Sequence, residues 1–278
     1  VTRTLDGIAI VSLAVNIPGP VAVARLRDMG ASVVKIEPPS GDPLQGAAPA
    51  WYAALHDGCT ITRLNLRDVD DRAHLDALLT NAALLLTANR PSSLARLGLD
   101  WERLHARFPD LAHVAIVGER APHGERPGHD LTYVAQAGLL DPPHLPTTLI
   151  ADLGGAERAV SAALDALLHR ARTGSATYRE VALRDAAEAF ALPLMHGLTR
   201  DGGNLSGSFG GYRLYRARDG WIALAALEPH FRQRFLHAVG LADWDVRELT
   251  AIFTARNAID WERWAAAHDL PLVAVPLR

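Results

Sequence analysis

The chain of 278 residues carries a formal charge of −3 with 49% hydrophobic and 21% charged residues, the make-up of an ordinary globular protein, which excludes disorder and fibrous repeats and suits one large or two modest domains. A single cysteine, Cys59, rules out an internal disulfide and points to a reducing cytoplasm, and no Cys/His spacing marks a metal site. Scattered arginines on a near-neutral chain leave no nucleic-acid footprint, no block of about 18 apolar residues could cross a membrane, and no targeting segment is expected.

Residues 7–13 read as a buried strand. The turn Ile17-Pro18-Gly19-Pro20 leads into an apolar-periodic helix that Gly30 ends, and residues 31–36 form a second short strand, so the chain opens with a β-α-β unit of a parallel sheet. The turn has one glycine instead of G-x-G-x-x-G, which argues against dinucleotide binding. Lys35, in the second strand, is the one lysine among 28 basic residues. Without a G-x-x-x-x-G-K-[ST] frame it supports neither a P-loop nor a Schiff base. Strands at 61–66, 83–86 and 112–117 then alternate with helices at 71–79 and 101–108, an α/β pattern. The Gly-, Pro- and Arg-rich run 118–128 reads as an exposed loop on a rigid sheet, where sites tend to sit.

Two helix starts follow, one at Gly128-His129-Asp130 and one at Asp152, each with an aspartate at a plausible N-cap. The second helix is amphipathic, with Val160, Ala163, Leu164, Leu167 and Leu168 on one face and Gly174 past its end. Taken by pattern alone, the aspartates are explained as caps and His129 as one of 12 histidines. After a strand at 178–183 and a helix at 186–196, the Gly/Ser-rich run 201–211 reads as a connector, dividing the chain into domains 1–201 and 202–278. Beyond it, segments 212–215 and 221–226 form a hairpin around Arg218-Asp219-Gly220. Glu228-Pro229 opens a further helix with Phe231, Phe235 and Val239 inward; Glu228 alone reads as a first-turn glutamate favoured by the helix dipole.

Together these segments resemble one family, the class III CoA-transferases, and within it most closely the alpha-methylacyl-CoA racemases. The motifs that carry the resemblance are Leu5-Asp6-Gly7, Pro18-Gly19-Pro20, Val34-Lys35-Ile36-Glu37, Gly41-Asp42-Pro43, Arg90-Pro91 with Leu97-Gly98-Leu99, Gly128-His129-Asp130, Asp152-Leu153-Gly154-Gly155 and Leu227-Glu228-Pro229-His230-Phe231. The resemblance implies a Rossmann-like large α/β domain with a parallel sheet, a smaller α+β domain and an interlocked homodimer. It also implies two chemistries. Transferases of the family use an aspartate nucleophile, matched by Asp152; the racemase branch adds a histidine and a glutamate, matched by His129 and Glu228.

With all three positions filled, the expected activity is racemisation of a 2-methylacyl-CoA by 1,1-proton transfer. A CoA transferase using Asp152 as nucleophile, and a non-catalytic binding module, are the alternatives. The residue types suit proton transfer, because the two faces of a planar enolate need separate bases, a histidine on one and an aspartate on the other. Glu228 would orient the imidazole, and a backbone N–H such as that of Asp130 would meet the oxyanion. Gly128, Asp130, Tyr133, Arg96 and Gly19 are the expected substrate contacts, with no cofactor beyond CoA as part of the substrate. The sequence departs from the family at Pro38, Gln45 and Gly58-Cys59-Thr60-Ile61, where relatives carry cations, so weak CoA binding is expected. Arg63 and Arg67 are expected to be turned elsewhere by strand alternation.

Overall fold

Short, fully apolar strands alternating with amphipathic helices can bury both faces of a sheet only if the helices cover it from two sides. The computed structural model, which describes residues 2–276, has that arrangement in the first of two compact units, Val1–Ala191. The chain runs through β1 (Ala9–Ser12), α1 (Pro18–Asp28), β2 (Ser32–Glu37), α2 (Pro43–Ala47), α3 (Pro49–His56), β3 (Thr60–Arg63) and α4 (Val69–Thr80). It continues through β4 (Leu84–Thr87), α5 (Pro91–Arg96), α6 (Trp101–Arg107), β5 (Ala112–Val117), α7 (Asp130–Gln136), α8 (Ile150–Thr173), β6 (Tyr178–Ala182) and α9 (Leu183–Phe190). All strand pairs are parallel, in the order β3-β2-β1-β4-β5-β6. Winding goes outward one way from β1 and the other way from β4. The crevice between the C-terminal ends of these two strands is therefore a topological switch point, where ligands of such sheets bind.

Two layers of core follow from strand alternation. Ile10, Leu84, Leu86, Val114 and Ile116 pack against α1 and α8, while Val11, Leu85, Leu75, Leu94 and Leu104 form the layer under α4, α5 and α6. Helix α8 spans 24 residues and ends at Gly174 in the left-handed conformation, as its sequence predicts. Leu168, expected on its apolar face, is 58% exposed instead, because the buried stripe of α8 is centred on Ala156, Ala159, Ala163 and Ala166 and Leu168 lies outside it.

The loop after β1 is tied down by a buried charged network. Lys35 on β2, 1% exposed, meets the Asp42 carboxylate and lies 3.2 Å from Glu37 Oε1, while Tyr52 donates to Glu37 at 2.6 Å. His56 Nδ1–H donates to the Tyr52 carbonyl at 2.7 Å, which leaves Nε2 to accept from Lys35 Nζ at 2.8 Å. Burial and the Lys35 charge hold the imidazole below its ordinary pKa, in keeping with that neutral tautomer. Asp42 Oδ1 in turn accepts from Leu44 N, capping α2, and from Asn16 N at 3.0 Å. The Gly-Asp-Pro motif thus serves the loop that follows β1.

The second unit, Leu192–Arg278, contains α10 (Leu192–Met195), β7 (Tyr212–Arg216), β8 (Trp221–Ala225), α11 (Pro229–Val239), α12 (Val246–Phe253), α13 (Ala258–Ala267) and β9 (Leu272–Ala274). The expected boundary after Asp201 falls inside it, because the helix expected over 186–196 is broken into α9 and α10. The hairpin β7–β8 forms as predicted, and β9 adds a third antiparallel strand. Its core is aromatic: Phe235 and Trp244 stack at 5.1 Å, Tyr215 donates to the Gly210 carbonyl, and Trp261 Nε1–H to that of Phe253. No helix of the described residues is long and apolar enough to cross a membrane, and no group of three or more His, Cys, Asp or Glu among them could hold a metal ion.

Candidate active site

At the switch point lies a cavity of about 440 Å³. Its walls come from the segments that leave the strands: Asn16 and Pro18 after β1, Asn89 and Arg90 after β4, Gly118 after β5, and Arg126 to His129 ahead of α7. Tyr133 and Asp152 complete it. Of the expected site residues, Gly128, His129, Tyr133 and Asp152 therefore share one cavity.

His129 is the N-cap residue of α7, in extended backbone conformation. Thr132 pins its backbone from both sides: the Thr132 hydroxyl donates to the His129 carbonyl at 2.8 Å and accepts from the His129 N–H at 3.0 Å. The main chain is fixed, and the imidazole is exposed. Asp130 is not the cap of its own helix, as the sequence suggested, but its first helical residue. It is buried, and its Oδ1 accepts from the N–H groups of Ala151 at 2.7 Å and Asp152 at 3.0 Å, so it caps α8 from outside. Asp152 is correspondingly no N-cap; Leu149 is, with no capping side chain of its own, and Asp152 stands in the first turn.

This arrangement makes Asp152 unusual. Burial, then the neighbouring Asp130 charge, push its carboxyl from 3.8 up to about 6, with His129 pulling the other way. It is therefore ionised near neutral pH yet poorly solvated, the condition of a reactive carboxylate or a poised acid-base group. Replacing Asp130 by Asn keeps an acceptor for α8 but removes the charge, so the Asp152 carboxyl is expected to titrate at lower pH. A carbon-13 NMR titration of the aspartate carboxyls reads that shift; an unmoved midpoint would show that burial alone sets it.

Two glycines shape the wall around Tyr133. A Cβ at Gly118 would come within 2.1 Å of the Tyr133 hydroxyl oxygen, and one at Gly128 within 2.4 Å. Gly154 and Gly155 do similar service for α8, letting it approach Phe190 and Leu183 of α9. The Asp-Leu-Gly-Gly string is thus an aspartate on the cavity wall followed by a packing device.

The remaining expected residues lie elsewhere. Gly19 is buried in α1 against Ala14, where a Cβ would clash at 2.1 Å, and it does not line the cavity. Arg96 lines a second cavity of about 380 Å³ with Pro38, Asn65, Arg67 and Ser93, which shares Val15 and Asn89 with the first. Arg67 reaches it because β3 stops at Arg63, so strand alternation never applies to residue 67. Arg63 instead holds Gln45 at 3.2 Å and lies 3.6 Å from Glu37. Glu228 is the N-cap residue of α11 in the second unit. Sequence reasoning missed Asn16, Asn89, Arg90, Gly118 and Arg126. Their position just after parallel strands, on the carboxyl edge of the sheet, is the signal that could have found four of them.

The sequence profile described as CoA-transferase family III matches residues 5–275. Among curated proteins, the chain is 29% identical over 276 residues to a probable fatty acyl-CoA transferase, Rv3272 of Mycobacterium tuberculosis, covering 87% of this chain and 70% of that protein. It is 28% identical to the cinnamoyl-CoA:phenyllactate CoA-transferase of Clostridium sporogenes and 26% identical to the succinyl-CoA–D-citramalate CoA-transferase of Chloroflexus aurantiacus, spanning 66% and 65% of their lengths. The crystal structure of Rv3272 superposes with a TM-score of 0.87 at 25% identity, covering 99% of this chain and 84% of that one. A CAIB/BAIF family protein from Brucella suis shares the fold, with a TM-score of 0.83 at 23% identity over the whole of this chain and 85% of that one.

Proposed function

Because the chain belongs to CoA-transferase family III, we propose that it moves CoA from an acyl-CoA to a second carboxylic acid with Asp152 as nucleophile. The observation that carries this reading is the half-buried Asp152 carboxylate in the switch-point cavity, with its pKa near 6. Similarity to proteins named as acyl-CoA and CoA transferases supports it.

The carboxylate of Asp152 attacks the thioester carbonyl, the carbon–sulfur bond breaks, and CoA leaves as a thiolate from a mixed anhydride. The thiolate returns to the Asp152 carbonyl, releasing the first acid and leaving an aspartyl thioester. The second acid attacks that thioester, and the thiolate, freed again, takes the new acyl group and restores Asp152. Each step develops an oxyanion, for which the Tyr133 hydroxyl and the first backbone N–H of α7 are donors. Mass spectrometry after incubation with acyl-CoA alone is expected to find the chain modified at Asp152. An unmodified chain that still transfers CoA would require direct exchange and remove the nucleophile.

CoA runs from this cavity into the second, where Arg67 and Arg96 meet its phosphates. With Pro38 in that wall and Gln45 engaged by Arg63, the cations are few. Weak, salt-dependent binding is expected by calorimetry, with Arg67→Ala and Arg96→Ala each weakening it roughly tenfold. Tight CoA binding indifferent to salt and to both substitutions would move the nucleotide elsewhere.

Proton transfer at the alpha carbon is a second reading, favoured by His129 and Asp152 lining the same cavity. In deuterated buffer it predicts wash-in at the alpha carbon of either stereoisomer of a 2-methylacyl-CoA with no acceptor acid present, dependent on His129. Transfer alone gives none. Either activity is proposed to reside in a homodimer, which light scattering would detect as twice the 29.9 kDa chain mass.

A further inference from the structure

Side chains of β5 alternate between the two faces of the sheet. Ala112, Val114 and Ile116 pack under α8, whereas His113, Ala115 and Val117 face the other way, into a cavity of about 390 Å³ closed by Tyr178 of β6 and the start of α6. The catalytic reading leaves this cavity unused. It shares Asn89 and Val117 with the switch-point cavity and is otherwise built from different residues.

Its polar groups are unfinished. His113 is 1% exposed; its Nε2 lies 2.9 Å from the Thr87 hydroxyl, and its Nδ1 has no hydrogen-bond partner among the described residues. Asn89 and Asp100 line the same cavity, and their buried Oδ1 and Oδ2 respectively are also without one. Asp100 uses Oδ1 to cap α6 at Arg103 N, while the Arg103 guanidinium stands 3.3 Å from Oδ2 without closing a hydrogen bond. Buried polar atoms left in this state cost free energy that a ligand's matching groups recover. Burial pushes the His113 imidazole down to about 4, so it is neutral at physiological pH and repels no cation.

The chemistry of the walls selects the ligand. The Trp101 and Tyr178 rings lie with centroids 6.0 Å apart, Tyr178 meets His113 edge-on at 5.2 Å, and Glu102 joins Asp100 among the lining residues. Two carboxylates, two electron-rich ring faces and orphaned acceptors disfavour an anion and suit a cation with N–H donors. We propose that this cavity binds a small organic ammonium compound, its charge held by Asp100 beside Trp101 and Tyr178 and its N–H groups met by the unpartnered oxygens of Asn89 and Asp100. It is a site apart from thioester chemistry, though its occupant touches Asn89, a wall of the catalytic cavity.

Isothermal calorimetry on the full chain with benzylammonium, benzyl alcohol and benzoate tests the charge selection. Saturable binding is expected for benzylammonium, weaker binding for the alcohol and no displacement of the amine by benzoate, whose own place as a carboxylic acid is the catalytic cavity. Asp100→Asn, which keeps a capping side chain for α6, should weaken benzylammonium roughly tenfold with little change in Tm. Asp152→Asn should leave the affinity where it is. Displacement of benzylammonium by benzoate, or an affinity insensitive to Asp100→Asn, would overturn the proposal. So would loss of binding in Asp152→Asn, which would put the amine in the catalytic cavity, or no saturable heat from any probe, which would mean the cavity holds water.

Discussion

Asp152→Asn is expected to remove CoA transfer by a factor of about 10³ or more while making the protein more stable, because one carboxylate is both the proposed nucleophile and a poorly solvated charge. In the fold Asp152 holds its proton up to about pH 6, whereas its ordinary value is 3.8. Between those values the folded chain binds more protons than the unfolded one. Stability therefore falls as pH rises through this window, and the whole penalty is present above about pH 6. A shift of this size corresponds to at most about 3 kcal/mol, and partial solvent exposure reduces it to about 1–2 kcal/mol. The neutral amide carries no such penalty, so Tm at pH 7.5 should rise by about 2–8 °C, with the difference from wild type vanishing near pH 4. Transfer by the wild-type chain should fall as pH drops below about 6, when the nucleophile is protonated. Thermal scans and initial rates across pH 4 to 8 check both halves. Equal stability of the two chains at pH 7.5 would mean that Asp152 is not strained, and a rate flat down to pH 4 would mean that its ionisation is not needed.

Lys35→Met should be the most destabilising single change in the first unit. The substitution keeps the length of the side chain but leaves buried Asp42 without its cation and buried Glu37 with Arg63 alone, 3.6 Å away. Breaking a buried ion pair from one side costs about 3–5 kcal/mol, which at roughly 2–4 °C per kcal/mol lowers Tm by about 6–20 °C. The effect should reach the site as well, since Asp42 also holds the Asn16 backbone at 3.0 Å on the cavity wall. Neutralising the whole cluster, as Lys35→Met with Glu37→Gln and Asp42→Asn, should recover most of the lost stability, because the cost lies in the orphaned charges and not in the missing lysine. A single Lys35→Met variant that melts with the wild type would show that water reaches this cluster and screens it.

Much of this protein is written in its local patterns. Apolar runs and helical periodicity in the first half specify a wound parallel sheet, since a strand buried on both faces needs helices on either side, and Gly30 and Gly174 mark helix ends at left-handed positions. His129 and Asp152 were legible as candidates through the motifs they belong to, and the hairpin around Asp219 through its turn chemistry. The small helices α2 and α3 and the last strand β9 left no periodic signal, being too short to show one.

Other features exist only once distant segments are folded together. That Asp130 caps the helix of Asp152 joins residues 21 apart in sequence from Asp130 to Ala151, and no local pattern distinguishes it from a cap of its own helix. The raised pKa of Asp152 follows from that contact and from burial, both properties of the packed chain. Lys35 read as a lone lysine in an apolar run; Glu37 faces the same way two residues along β2, but only the return of the chain at Asp42 and the approach of α3 supply the second carboxylate and the imidazole that make its burial tolerable. Arg67 lines a cavity because the strand expected over 61–66 stops three residues early, at Arg63. Sequence by itself determined which residue types stand at the ends of which elements, because periodicity and turn chemistry act over a few residues. Tertiary structure alone decided which of those groups share a cavity and how strongly they hold their protons, because desolvation and charge proximity depend on neighbours brought together across the whole unit.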